Sequence, residues 1–429
     1  MNNQKLSRAT IGLPQAVALY IGAVLGSGVL LVPGLAAEIA GPASLIAWGI
    51  MTLLVLPMAL SMGLLAAKFP NAGGVSHFVS QAFGEKAGVM VGWFFLMSVP
   101  IGAPVAAITG AGYLTTAMGL GFGAKLLIAS LILFIGVLIN LIGMKLAGNI
   151  QVVVVTAILA VLILAIAGSF PEMALANFHP FEQYGWISIG KATAILFWCF
   201  IGWEAVSHMS EEFIDPEREA VKGVFVAACV VGILYFLTAL ATVATHSYGS
   251  GTSDASLVLV IQHIFGAFGA LIAGFTAIFI CTATIIAYVG AASRLAYALA
   301  NKGHAPKLLA RVSGRLQTPV GGIGFLAVCF VIVMLLYGSG MVPLTTLIQF
   351  PNATFILTYL GGCAAGTRLL RGHPWGASIS WLSLVLTIFI FPFVGWAIVY
   401  PVVIVLAVLF WFKRQQKEKW KSQSQTIAS

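Results

Sequence analysis

Charge is what this sequence lacks. Only 8% of its 429 residues are Asp, Glu, Lys or Arg, against about 25% in soluble domains, while 60% are hydrophobic. Water is therefore not the main solvent of the chain. Acidic residues are scarcer still, 12 in all, so paired carboxylates for acid–base chemistry have few places to be. Cysteine is limited to Cys199, Cys229, Cys281, Cys329 and Cys363. Each sits in an apolar stretch without a CxxC pair, and all read as small buried residues with no metal or disulfide role. The short β-alternation of an outer-membrane barrel is missing. So are HExxH, a Ser/His pair at matched depth and a filter sequence, which weighs against a membrane enzyme or a channel.

What is present is a series of apolar stretches, each near the roughly 20 residues a helix needs to cross a bilayer. Gly, Pro and charge clusters divide them into about twelve spans. The first six run 12–36, 42–67, 87–116, 124–143, 148–168 and 188–210. The others are 221–245, 258–298, 319–338, 342–366, 376–391 and 395–412, the eighth long enough to extend beyond the bilayer. Lys5 and Arg8 before the first span resemble a signal peptide, but its length and the spans that follow identify a retained helix.

The net charge of +9 is explained by topology rather than by nucleic acid. With the N-terminus inside, nineteen Lys and Arg fall on the inner side and two, Lys125 and Lys191, on the outer, as the positive-inside rule requires. The same count splits the uncharged stretch 376–412. One long helix there would carry Lys413, Arg414, Lys417, Lys419 and Lys421 outside, so Phe391-Pro392-Phe393-Val394-Gly395 is read as a tight turn. The expected organisation is a cytoplasmic N-terminus (1–11), a transmembrane domain (12–412) and a basic cytoplasmic tail (413–429). The expected localisation is the cell membrane.

Two spans carry a weak point at mid-depth. The first has Gly22, Gly26, Ser27 and Gly28, followed by Pro33 and Gly34. The sixth has Phe200-Ile201-Gly202-Trp203, followed by Glu204, the acidic residue deepest in a span. Glycine weakens a helix, and irregular backbone at that depth survives only where protein or a watery cavity satisfies it. Spans 1 and 6 correspond if 12–168 and 188–366 are inverted repeats of five spans each, a pattern that points to a transporter's binding site. N–H groups at Ser27 and Gly28 suit a carboxylate. Carbonyls at Phe200, Ile201 and Gly202 suit an ammonium group. Close-packing glycine spacers are the alternative.

At these residues the sequence resembles the amino acid–polyamine–organocation (APC) transporter superfamily, especially its amino acid efflux branch. The matching stretches are Leu25-Gly26-Ser27-Gly28-Val29 with Val32-Pro33, Asn71-Ala72-Gly73-Gly74-Val75-Ser76-His77-Phe78, and Phe197 through Ala205 continuing to Asp215-Pro216-Glu217-Arg218. The resemblance implies an all-α polytopic membrane protein of the LeuT-type fold, with 5+5 inverted repeats, helices 1 and 6 discontinuous, and alternating access. It places Trp198 at a gating tryptophan, Tyr288 at a second aromatic gate, and Glu204 at a glutamate that transmits closure, with His208 one turn on. The fifth span, read from Asn149 to Leu159, has no lysine where some relatives have one, which leaves the coupling ion open and Glu204 as a candidate for proton linkage. His77 replaces a common tyrosine, as suits the efflux branch. The residues expected to line the pocket, Trp198, Phe200, Ile201, Ala103, Val105 and Tyr288, favour a neutral amino acid such as methionine, leucine, isoleucine or valine. A cationic amino acid or polyamine carrier is the alternative. No cofactor is expected.

Overall fold

Long apolar runs in a chain with few polar side chains leave the backbone to satisfy itself, and helix does so within one segment. The computed structural model describes residues 12–69, 74–142, 147–203, 214–249, 253–313 and 318–428. Among them there is no strand. The helices are α1 (Leu13–Val24), α2 (Gly28–Ala40), α3 (Ser44–Lys68), α4 (Gly74–Phe83), α5 (Glu85–Met118), α6 (Phe122–Ile142) and α7 (Ala147–Ser169). They are followed by α8 (Trp186–Leu196), α9 (Pro216–Ala244), α10 (Ser256–Asn301), α11 (Val320–Gly338), α12 (Leu344–Leu369), α13 (Gly376–Ile390) and α14 (Val399–Ala428). Eight helical segments among the described residues are long and apolar enough to cross a membrane. The chain is thus an all-α polytopic membrane protein.

Most helix limits fall within a few residues of the sequence expectation, and the differences have local causes. The first span is two helices, separated by Leu25-Gly26-Ser27. The long eighth span bends at Gly266 (φ 66°, ψ −166°), which separates a short N-terminal piece from the helix proper. The expected tight turn at 391–395 is a longer 3-10 stretch, Phe391–Ile398, and the bend sits at Gly395 (φ 65°, ψ −138°). Pro392 starts that stretch, and Gly395 takes a left-handed conformation that other residues adopt at a cost. Helix α9 begins on a side-chain cap: Asp215 Oδ1 accepts from the Arg218 N–H at 3.2 Å with Pro216 at the first position.

The helices pack in two interlocking groups. In one, α3 runs against α9 and α8, α1 against α9, and α2 against α8. In the other, α5 lies along α10, with α6, α11 and α12 beside α5. The buried core is continuous between the two. The five cysteines are free thiols.

Candidate functional site

The two interruptions meet. Gly202 has φ +119°, and a methyl built on it would stand 2.3 Å from the Ala23 carbonyl oxygen and 3.3 Å from Val24 Cα. The end of α1 and the second break are therefore in direct backbone contact. On the far side of the first break, a methyl on Gly28 would lie 3.1 Å from Cys199 Cα and 3.2 Å from Trp198 Cδ1. Gly26 is different: its nearest neighbour would be Thr284 Oγ1 at 3.6 Å, an ordinary contact. So of the three glycines, Gly202 has no room for a side chain, Gly28 has room only if its neighbours give by a few tenths of an ångström, and Gly26 has room for one.

The second interruption begins earlier than a single glycine would make it. Helix α8 tightens into a 3-10 turn over Phe197–Phe200, and Ile201 is extended (φ −82°, ψ 153°). Residues in a 3-10 turn repeat every three, so Trp198 and Phe200 cannot face the same way. Trp198 turns toward α5 and α12. Its ring would be 2.9 Å from a methyl on Gly102 and its centroid is 5.9 Å from that of Phe355, edge to face. Phe200 turns the other way, 5.1 Å from the ring of Tyr235 and 6.1 Å from that of Trp48. Phe200 thus packs against α3 and α9.

Tyr288, on α10, joins Trp198 through an intermediate that the sequence did not single out. Its ring lies 6.3 Å from Phe355 and 6.3 Å from Phe95, while Phe95 and Phe355 are 6.1 Å apart. Trp198, Phe355, Tyr288 and Phe95 form one aromatic wall between the two helix groups. Ala103 and Val105 are buried on α5, one and three residues after the glycine that supports Trp198.

Two further tyrosines hold the interruptions open. Tyr235 Oη donates to the carbonyl of Val24, the last residue of α1, at 3.1 Å. Tyr359 Oη accepts from the Gly202 N–H at 3.0 Å. Each satisfies a backbone group that a broken helix orphans. Their signal in the sequence was a phenol deep in an apolar span, where its hydroxyl must find a partner. Tyr113 Oη donates to Leu30 O in α2. Asn352 Nδ2 donates to the Ala194 carbonyl just ahead of the 3-10 turn.

The backbone ends at the two interruptions carry partial charges of opposite sign. Ser27 is the N-cap residue of α2, buried, and its side chain makes no capping bond. The first N–H groups of a helix carry partial positive charge, and at Gly28 no Cβ shields them. The carbonyls that end the 3-10 turn carry the opposite sign. Among the described residues, no Asp or Glu lies at either interruption. Glu204 and His208 lie outside the described residues, as do Asn71–Gly73. A cavity of about 620 Å³ exists elsewhere, between α6 and α11, but its lining is nearly all apolar.

The arrangement has relatives. A family model described as amino acid permease matches residues 11–428. The chain is 37% identical over 407 residues to the uncharacterized amino acid permease YecA of Bacillus subtilis, covering 95% of this chain and 96% of that protein. It is 32% identical over 405 residues to the L-methionine/branched-chain amino acid exporter YjeH of Escherichia coli, covering 92% and 93%. The branched-chain amino acid permease BcaP of Bacillus subtilis is 25% identical over 371 residues, covering 82% and 78%. A chain of apolar helices, interrupted at paired glycines and matched along nearly its whole length, belongs to the amino acid permease family of membrane transporters.

Proposed function

We propose that this protein carries neutral amino acids of medium size, methionine, leucine, isoleucine and valine among them, by alternating access, and that it works as an exporter. The observation that carries the reading is the pair of interruptions in contact. One offers helix N–H groups at Ser27 and Gly28 for a carboxylate. The other offers carbonyls at Phe200, Ile201 and Gly202 for an ammonium group. The walls are aromatic and aliphatic, which suits an apolar side chain. The names of the YjeH and BcaP relatives point to the same substrate class.

In this account Trp198 and Tyr288 are gates and Phe355 joins them. The chain has twelve spans, with 12–168 and 188–366 as inverted repeats and both termini in the cytoplasm, a placement supported by the nineteen-to-two distribution of Lys and Arg. Glu204, with His208 one turn later, is the candidate for proton linkage. Intramembrane carboxylates serve such roles, and the fifth span has no lysine.

Counterflow in liposomes tests the reading. Vesicles preloaded with unlabelled leucine should accumulate labelled methionine, and external isoleucine and valine should compete. Arginine and putrescine should not compete; if they do and neutral amino acids do not, the cationic carrier is the correct reading. Absence of exchange with every neutral amino acid would remove the proposal. Direction needs cells: expression in a methionine-overproducing strain should raise extracellular methionine, and a rise in the intracellular pool would reverse the assignment.

A further inference from the structure

The way α8 ends depends on one carbonyl. In a continuing α-helix the Ala194 carbonyl would accept from Trp198, four residues on. Here the Phe197 N–H bonds to it, the three-residue step of a 3-10 turn. Asn352 Nδ2, from α12, donates to the same oxygen at 2.5 Å. A carbonyl has two acceptor positions, and these two donors fill them, so the Trp198 N–H is left to the tighter turn. A 3-10 turn rotates about 20° more per residue than an α-helix. At Trp198, the second residue of the turn, the difference has grown to about 40°. The turn therefore sets the direction of the Trp198 ring, which lies edge to face with Phe355 at 5.9 Å. Phe355 is three residues beyond Asn352 on α12. Pro351, just before it, would have its Cβ 3.9 Å from a methyl on Gly102, the same position that the Trp198 ring approaches to 2.9 Å.

We propose that Asn352 is the positioning residue for Trp198: by occupying the Ala194 carbonyl it holds the 3-10 turn that aims the ring. The inference rests on the reading of Trp198 as a gate. Stability gives little reason for an amide at this place. Asn352 is 3% exposed, and its Oδ1 is buried with no donor among the described residues. A buried acceptor left unpaired costs at least as much as one hydrogen bond contributes, so the two halves of the amide roughly cancel. A leucine of similar size would suit an apolar span as well, but it cannot occupy the Ala194 carbonyl. The bond also ties two motions together. When α8 and α12 separate, Asn352 leaves the carbonyl, the Trp198 N–H gains its α-helical partner, and the ring turns from Phe355. Helix α12 thus controls both the backbone of the gate and the surface its ring rests on.

The test is fluorine NMR of the full-length protein labelled with 5-fluorotryptophan, read beside methionine counterflow and the apparent Tm. The chain has 10 tryptophans, and the Trp198 resonance is the one that Trp198→Phe removes. In Asn352→Leu that resonance should shift or split while the others stay in place. The Tm should hold within about 2 °C, and counterflow should fall on the order of fivefold, the effect of one hydrogen bond. Asn352→Ala serves if the leucine variant is not monodisperse, and the same single resonance should move. A Trp198 resonance that stays in place in these variants overturns the proposal, whatever transport does. So does a fall in Tm with all the resonances moving together, since the amide would then support the fold rather than the gate. Failure of the gate reading has a separate sign: Trp198→Leu would transport at the unmodified rate, and the resonance result would still stand on its own.

Discussion

Substituting the three glycines at the interruptions one at a time separates their roles. Gly202→Ala is expected to be severe for two reasons that add. At φ +119° an alanine is strained, a cost of about 1–3 kcal/mol. Its methyl would also meet the Ala23 carbonyl oxygen at 2.3 Å. That neighbour is backbone and cannot swing aside, so the end of α1 must move, at about 1–3 kcal/mol for an overpacked contact. The movement would stretch the 3.0 Å bond from Gly202 N–H to Tyr359. A total of about 2–6 kcal/mol corresponds to roughly 30-fold or more in the population of the native arrangement. Gly28→Ala puts its methyl 3.1 Å from the Cys199 Cα and 3.2–3.3 Å from side-chain atoms of Trp198 and Cys199; these neighbours must give by a few tenths of an ångström, and the helix end becomes shielded. It should keep the fold and lose most transport. Gly26→Ala has 3.6 Å of room and no positive φ, so stability should change by less than about 0.5 kcal/mol, as at an unconstrained site. The assay is counterflow in liposomes with the apparent Tm of each purified variant. The order Gly26 mild, Gly28 functional, Gly202 structural is the prediction. A Gly202→Ala protein with unchanged Tm and transport, or a Gly26→Ala protein worse than it, would refute the reasoning.

Three further substitutions probe neighbouring parts. Tyr359→Phe removes the partner of the buried Gly202 N–H, an unsatisfied donor worth about 1–3 kcal/mol, so the Tm should fall and transport should weaken; no change in either would show that the hydroxyl does not hold the break. Trp198→Leu should abolish transport while the protein remains monodisperse, because the aromatic wall with Phe355 loses its first member; transport at the unmodified rate would remove the gate role. On α4, outside the apolar spans, burial and then the nearby Lys302 ammonium lower the pKa of His77 from its ordinary 6.5. Its NMR titration midpoint should lie below 6.5, and Lys302→Gln should raise it. Since the folded state binds this proton less readily, the contribution of His77 to stability is present above pH 6.5 and is lost as the pH falls through its folded midpoint. A midpoint at or above 6.5 would contradict that environment.

Helix limits were legible because apolar length and charge placement are both properties of local sequence. The bend at Gly395 is an instance: the basic residues after 412 led to the expectation of a turn at 391–395, and the backbone leaves helical geometry at Gly395. The position of the two interruptions along the chain was legible for the same reason, since Gly-Ser-Gly and Gly-Trp each stand inside a long apolar stretch. Which glycine is indispensable was not legible. Gly26 and Gly202 look alike in a sequence, and only the approach of Ala23 to one of them distinguishes the pair. Side-chain direction was also hidden. In the sequence Trp198 and Phe200 read alike as pocket wall, but the 3-10 turn sends the Phe200 ring to Trp48 and Tyr235. Phe355 and Phe95 escaped notice because they come from α12 and α5, far from the motifs in sequence, and ordinary phenylalanines in apolar spans give no local sign of a shared wall. Tyr235 and Tyr359 did carry a sign, a hydroxyl at membrane depth, which their partners now explain.

The central claim is that the backbone ends at Ser27–Gly28 and Phe200–Gly202 hold the two charges of an amino acid. Competition against labelled methionine counterflow tests it directly, with methionine methyl ester, which lacks the carboxylate, and 4-methylthiobutyrate, which lacks the amine. Hydrogen bonds to charged groups contribute about 1.5–3 kcal/mol, so each compound should compete on the order of 10- to 100-fold less well than methionine. Leucine, which changes only the side chain, should stay within about tenfold, the cost of a methylene or two in an apolar pocket. Competition by the ester or the butyrate at the strength of methionine itself would contradict the account.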